Sequence, residues 1–137
     1  MKPNTGNLVF IVDDDPDDRQ IVLDAFLKNN ADLDYEFINS AEELLTRLYN
    51  METEYPDLLL LDLNMPGILG LQALKEIRAN KKFSQIPVVV LTTSTLNTDR
   101  KAAYELGASC FLTKPDSFST MIAYANAMIM LWFKGAT

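Results

Sequence analysis

Residues 8–20 read LVFIVDDDPDDRQ. The first five form an unbroken apolar run rich in β-branched side chains, as expected of a strand covered on both faces. Five aspartates then fall in six positions: Asp13, Asp14, Asp15, Asp17 and Asp18, interrupted only by Pro16. Like charges about 4 Å apart repel by roughly 1 kcal/mol in water and about 4 kcal/mol at an effective dielectric near 20. Part of this charge has a local reason. Asp15 suits an N-cap, Pro16 the first helical position, and Asp17 and Asp18 the positive end of the helix dipole. Ile21, Val22, Ala25 and Phe26 supply that helix with an apolar stripe. Asp13 and Asp14 precede the helix and are not explained this way.

The alternation of strand and helix repeats along the chain. DYEFIN (34–39) is a weaker, alternating strand suited to a sheet edge. Ser40 with Glu43 forms a capping-box pattern, and Leu44, Leu45 and Leu48 face a core. DLLLLDL (57–63) is a second buried strand, and Asn64, Met65, Pro66 and Gly67 form a loop. Leu71, Leu74, Ile77 and Arg78 then follow helical spacing. IPVVVLT (86–92) is a third buried strand. Asn97 or Thr98 starts a helix through Ala102, Ala103 and Leu106 that Gly107 ends. SCFLT (109–113) is a strand followed by Lys114-Pro115, and a last helix starts near Ser117 and runs to about Phe133. Five strand–helix units predict a doubly wound α/β fold with a five-stranded parallel sheet. Ligands of such sheets bind beyond the carboxyl ends of the strands.

Composition narrows the function. The chain has 137 residues, 12 Lys+Arg against 19 Asp+Glu, and a net charge of −7. That balance opposes non-specific nucleic-acid binding and an anionic membrane surface. There is no histidine, and Cys110 is the only cysteine, read as a small buried hydrophobe. The N-terminus lacks a signal-peptide pattern, and the longest apolar tract, AMIMLWF (127–133), is too short to cross a bilayer. A cytoplasmic location is the expectation.

Polar residues terminate four of the predicted strands: Asp13 and Asp14, Asp62, Thr92, and Lys114. If the strands are parallel, these groups meet on one rim. A solvated acidic rim with a structural ion pair to Lys114 would account for them. So would phosphoryl transfer: Asp13, Asp14 and Asp62 total −3, which Mg²⁺ and the Lys114 ammonium would balance. A carboxylate can accept a phosphoryl group, with cations neutralising its oxygens.

The pieces IVDDD, LLLLDLNMPG, VVVLTTS and FLTKP, in this order and with Asp62, Thr92 and Lys114 at the family separations, resemble the receiver domain of two-component response regulators. The resemblance spans about residues 7–131. It implies a flavodoxin-like (βα)5 fold with strand order 2-1-3-4-5, a receiver at 7–133, and short tails at 1–6 and 134–137. It implies Asp62 as phosphoacceptor, Mg²⁺ held by Asp14, Asp62 and the backbone carbonyl of Asn64 with Asp13 acting through water, Lys114 against the phosphoryl group, and Thr92 as the hydroxyl that swings toward it. Phe111 takes the place of the switch aromatic, and the Lys114–Pro115 bond is implied to be cis. Thr93 replaces a smaller residue and is expected to slow turnover. Ser94 and Asn64 stand where the family tunes loss of the phosphoryl group. The gap from Asp14 to Asp62 is a few residues longer than in the shortest receivers, with the surplus expected in YNMETEYPD (49–57).

The expected function is a stand-alone receiver that takes phosphate from a sensor histidine kinase or a histidine phosphotransfer protein. It would act on a downstream protein target and would be a phosphoacceptor rather than an enzyme. A pseudo-receiver serving only as a docking module is the alternative, disfavoured by the intact acidic set. A flavodoxin-like cofactor protein is set aside because DDDPDD would repel a phosphate ester, and a Mg²⁺-dependent phosphatase is disfavoured because no second acid follows two residues after Asp62. In the last helix, Phe118, Met121, Ile122, Ala125, Ile129 and Trp132 make one core-facing stripe, while Tyr124, Met128, Met130, Leu131 and Phe133 lie elsewhere. That leaves open a homodimer through this helix or a scatter of exposed apolar groups.

Overall fold

The computed structural model of the chain describes residues 6–51, 54–65 and 70–133. Ten elements alternate as expected: β1 (Leu8–Val12), α1 (Pro16–Leu27), β2 (Asp34–Ile38), α2 (Ala41–Asn50), β3 (Leu58–Leu61), α3 (Gly70–Ala79), β4 (Val88–Thr92), α4 (Asn97–Glu105), β5 (Cys110–Thr113) and α5 (Phe118–Trp132). All strand pairs are parallel and the order is β2-β1-β3-β4-β5. The loop residues Pro66 and Gly67, part of the surplus before β3, and the tails at 1–5 and 134–137 lie outside the described residues.

The apolar strands are continuous because both faces are covered. Phe10, Val12, Leu59 and Leu61 point to one side, where Leu44 and Leu48 of α2 and Leu74 and Ile77 of α3 meet them. Val9, Ile11, Leu58 and Leu60 point to the other, against Val22 and Phe26 of α1 and Met121, Ala125 and Ile129 of α5. A smaller cluster of Leu63, Val90, Ala103 and Phe111 seats α4. Among the described residues no helix is long and apolar enough to cross a membrane.

Local signals set the helix starts. Asp15 Oδ1 accepts from the N–H groups of Asp17 and Asp18, at 2.9 and 3.3 Å, with Pro16 first in the helix. Ser40 Oγ accepts from Glu43 N, but the Glu43 carboxylate reaches past Ser40 to the N–H of Asn39. The N-cap of α4 is Leu96, which offers no side-chain acceptor. The Ser94 hydroxyl accepts from Leu96 N and donates to Asp99 in the first turn, which ties the preceding loop to the start of the helix. The helix stops at Glu105, one residue before the expected Leu106, and Gly107 follows with φ +102°. Only glycine takes that conformation readily.

Several expectations need correction. Ile21 is 45% exposed and does not belong to the buried stripe of α1. On α5, Phe118 is exposed, whereas Met128 and Phe133 are buried; Ile122, Tyr124 and Trp132 lie half-buried. Met130 and Leu131 remain in solvent. Cys110 is half-buried. The Lys114–Pro115 bond is trans, because the described residues contain no cis peptide bond.

Candidate functional site

The strand register fixes the site. Val12 pairs with Leu61, Leu61 with Val90, and Thr92 with Thr113. The ladder carries on one step into the loops: Asp62 N donates to Val12 O at 3.1 Å and Lys114 N to Thr92 O at 2.7 Å. The residues that end β1, β3, β4 and β5 therefore lie side by side on one rim. Asp13, Asp62 and Thr92 are the buried polar residues of the described chain, so the burial that a core would refuse is confined to this place. Gly70 backs the rim. A Cβ there would stand 3.0 Å from the Asp62 carbonyl oxygen and the Leu63 Cα.

Lys114 joins the carboxylates. Its ammonium donates to Asp13 Oδ2 at 2.7 Å, Asp18 Oδ2 at 2.8 Å and Asp62 Oδ2 at 3.2 Å. An ammonium has three donors, and each has a carboxylate. The second oxygens of Asp13 and Asp62 accept from the backbone N–H groups of Asp15 and Asn64, both at 3.0 Å. Carboxylate oxygens of Asp13, Asp14 and Asp62 come within 4.8 Å of one another. Oxygen donors with excess negative charge are what a hard divalent cation requires, and this set fits one.

Two groups hold their protons more tightly than usual. Burial pushes the Asp13 carboxyl up, and the Lys114 hydrogen bond and the Asp15 N–H offset this only in part. Burial alone would lower Lys114, but Asp13, Asp18 and Asp62 overcome it and hold the ammonium above its ordinary range.

Thr92 is tied in from the opposite side. Asn64 Nδ2 donates to both Thr92 Oγ1 and Thr93 Oγ1 at 3.0 Å. Ser94 N approaches Thr92 Oγ1 at 3.4 Å. The Ser94 hydroxyl donates to Asp99 Oδ2 at 2.6 Å, and Thr113 Oγ1 donates to Ser94 O at 3.1 Å. One loop thus links the rim to α4 and β5. Phe111 sits behind it, buried at 3% exposure. Its N–H donates to the Tyr104 hydroxyl at 3.0 Å, and the Arg100 guanidinium lies over the Tyr104 and Phe111 rings.

The structure brings Asp13, Asp14, Asp62, Asn64, Thr92 and Lys114 together as the sequence implied, with Phe111 one layer below. Asp18 serves the helix dipole, as its position in the first turn implies, and is also a partner of Lys114. The pattern of the first turn explained Asp18 locally, and nothing local marked its contact with a residue 96 positions away.

The Lys114 ammonium has a consequence at alkaline pH. Its proton is held more tightly in the folded chain than in the unfolded one, so the stability it contributes is complete below the unfolded value near 10.4 and lost above it. Tyr35, raised to about 12 by burial, acts in the same direction. Denaturant midpoints should fall as pH rises from about 10 to 12. The fall should be shallower in Lys114→Met and in Tyr35→Phe, each starting from its own midpoint. An equally steep fall in Lys114→Met would show that the carboxylates do not hold this proton.

Known proteins resemble the chain along most of its length. Residues 9–126 match the response regulator receiver domain family. The response regulator Rcp1 of Synechocystis is 33% identical over 140 residues, which cover 98% of this chain and 94% of that protein. The solved structure of the phosphorylated cyanobacterial phytochrome response regulator RcpA superposes with a TM-score of 0.86 at 28% identity, covering 97% of this chain and 98% of that one. The Mn²⁺-bound form of Rcp1 superposes with a TM-score of 0.84 at 29% identity, covering 96% and 97%. With its sheet order, its rim of acids and this match along most of its length, the chain belongs to the response regulator receiver domain family.

Proposed function

We propose that this chain is a stand-alone receiver that accepts a phosphoryl group on Asp62 from a sensor histidine kinase or a histidine phosphotransfer protein. The observation that carries the proposal is the Asp62 carboxylate 3.2 Å from the Lys114 ammonium, on a rim where Thr92 also ends its strand. A carboxylate oxygen of Asp62 forms a bond to phosphorus as the bond from phosphorus to the donor imidazole nitrogen breaks. The electron pair leaves with that nitrogen, which takes a proton from water. Asp62 becomes an acyl phosphate. Lys114 orients the transferred group and offsets its charge.

Asp13, Asp14, Asp62 and the Asn64 backbone carbonyl would hold Mg²⁺, which when bound neutralises charge on the phosphoryl oxygens. The Mn²⁺-bound form of the similar Rcp1 supports a divalent cation here. The Thr92 hydroxyl, released from Asn64, would donate to a phosphoryl oxygen. Ser94 would follow it, and with Ser94 the Asp99 contact to α4 and the Thr113 contact to β5. The signal would leave by protein contact on that face, toward a downstream protein target. On this reading the protein is a cytoplasmic phosphoacceptor, with only self-phosphorylation and slow hydrolysis as chemistry of its own.

Intact mass after incubation with Mg²⁺ and acetyl phosphate tests this. The native protein should gain one phosphoryl group and Asp62→Asn none. A native protein that gains nothing would favour a phosphorylation-independent docking module.

The same proposal includes a contact between two copies through the end of α5, where Met130 and Leu131 are 64% and 69% exposed. Two large apolar side chains exposed at successive positions near a helix end are a cost that association removes. Sedimentation should show a concentration-dependent dimer that Leu131→Glu dissociates. A native protein that stays monomeric at high concentration removes this part.

A further inference from the structure

We infer that Asp18 is a positioning residue for phosphoryl transfer, acting through Lys114, in addition to serving the start of α1. This rests on the phosphoacceptor reading of Asp62. The Lys114 ammonium spends its three donors on Asp13, Asp18 and Asp62, and the Asp62 bond, at 3.2 Å, is the longest. The two shorter bonds define where the ammonium sits. They are not equivalent. Asp13 belongs to the set of carboxylates close enough to hold a cation; Asp18 does not. Asp13 therefore has two claims on its oxygens, whereas the Asp18 carboxylate has only the lysine among the polar contacts of its side chain.

Asp18 is also well placed to stay where it is. It lies in the first turn of α1, whose N-terminus is pinned by Asp15 and whose Val22 and Phe26 are buried. The Lys114 side chain is 12% exposed and that of Asp18 34%, so the pair is shielded from solvent more than a surface ion pair. A carboxylate on a rigid helix, outside the cation set, keeps the ammonium facing Asp62 whatever happens to Asp13. Asp17, its exposed neighbour in the same turn, carries the same charge and the same relation to the helix dipole. Among the described contacts its side chain has none with Lys114, which makes it the natural control.

The test compares native, Asp17→Ala, Asp18→Ala and Asp18→Glu proteins for the rate of phosphoryl uptake from acetyl phosphate at saturating Mg²⁺, alongside their Mg²⁺ affinities. A displaced catalytic group costs one to two orders of magnitude, so Asp18→Ala should be about tenfold slower. Its Mg²⁺ affinity should resemble that of Asp17→Ala, Asp17→Ala should keep the native rate, and Asp18→Glu should recover part of the loss. A second readout needs no phosphoryl donor. In metal-free buffer, the unfolding equilibria of Asp18→Ala, Lys114→Met and the double variant should be non-additive, because each single change breaks the same pair. A native rate in Asp18→Ala, an equal loss in Asp17→Ala, or an additive cycle would overturn the role of Asp18 while leaving Asp62 as acceptor. A native protein that takes up no phosphoryl group would instead remove the reading on which this one rests.

Discussion

One ammonium faces more carboxylates than it can neutralise, and the rest of the rim is arranged around that imbalance. Asp13, Asp14, Asp18 and Asp62 carry four formal negative charges against one on Lys114. A divalent cation brings the sum to −1, not to the zero that Asp13, Asp14 and Asp62 alone would have given. Backbone donors absorb part of the remainder: the N–H groups of Asp15 and Asn64 point at Asp13 and Asp62. Burial pushes Asp13 toward its neutral form even so. Without a cation the site is held together against its own repulsion, and a group carrying fresh oxygens can enter only where a cation compensates it.

The fold makes such a site possible because parallel strands deliver their ends to the same edge. A core of alternating Leu, Val and Ile on both faces fixes the register, and the register leaves no freedom in where Asp13, Asp62, Thr92 and Lys114 emerge. The chemistry then sits on short loops over a rigid base. The loop after β4 differs from the others. Its Thr92, Ser94 and Asp99 contacts run from the rim to a helix whose N-cap residue contributes no side chain of its own. The Ser94 hydroxyl holds the start of α4 while the Ser94 N–H approaches Thr92, so hydrogen bonds run through one residue from the rim to the α4–β5 face.

Much of this was legible in the sequence, for physical reasons. Continuous apolar runs such as LVFIV and LLLL announce strands covered on both sides, and Asp15-Pro16 and Ser40 announce helix starts. Polar residues at the ends of apolar strands announced the rim. What local patterns could not separate was which face of a helix matters when the helix is apolar all round. In α5, Met128 rather than Phe118 faces the sheet, and the hydrophobicity of the two is too similar to tell them apart. Nor does a local pattern show a second duty. Asp18 satisfies the rule for a first helical turn, so nothing in its neighbourhood marked the long-range pair with Lys114. The cis bond implied before Pro115 came from resemblance alone, and the chain is trans there.

The most direct test of the imbalance is to neutralise its most exposed member and compare stability with and without metal. In chelator, Asp14→Asn should unfold at higher denaturant than the native protein, because one repelling charge is gone. Mg²⁺ at a hundred times its dissociation constant should stabilise the native protein by about 2.7 kcal/mol and the variant by far less. An Asp14→Asn protein that is less stable than native in chelator, yet gains as much from Mg²⁺, would contradict the account.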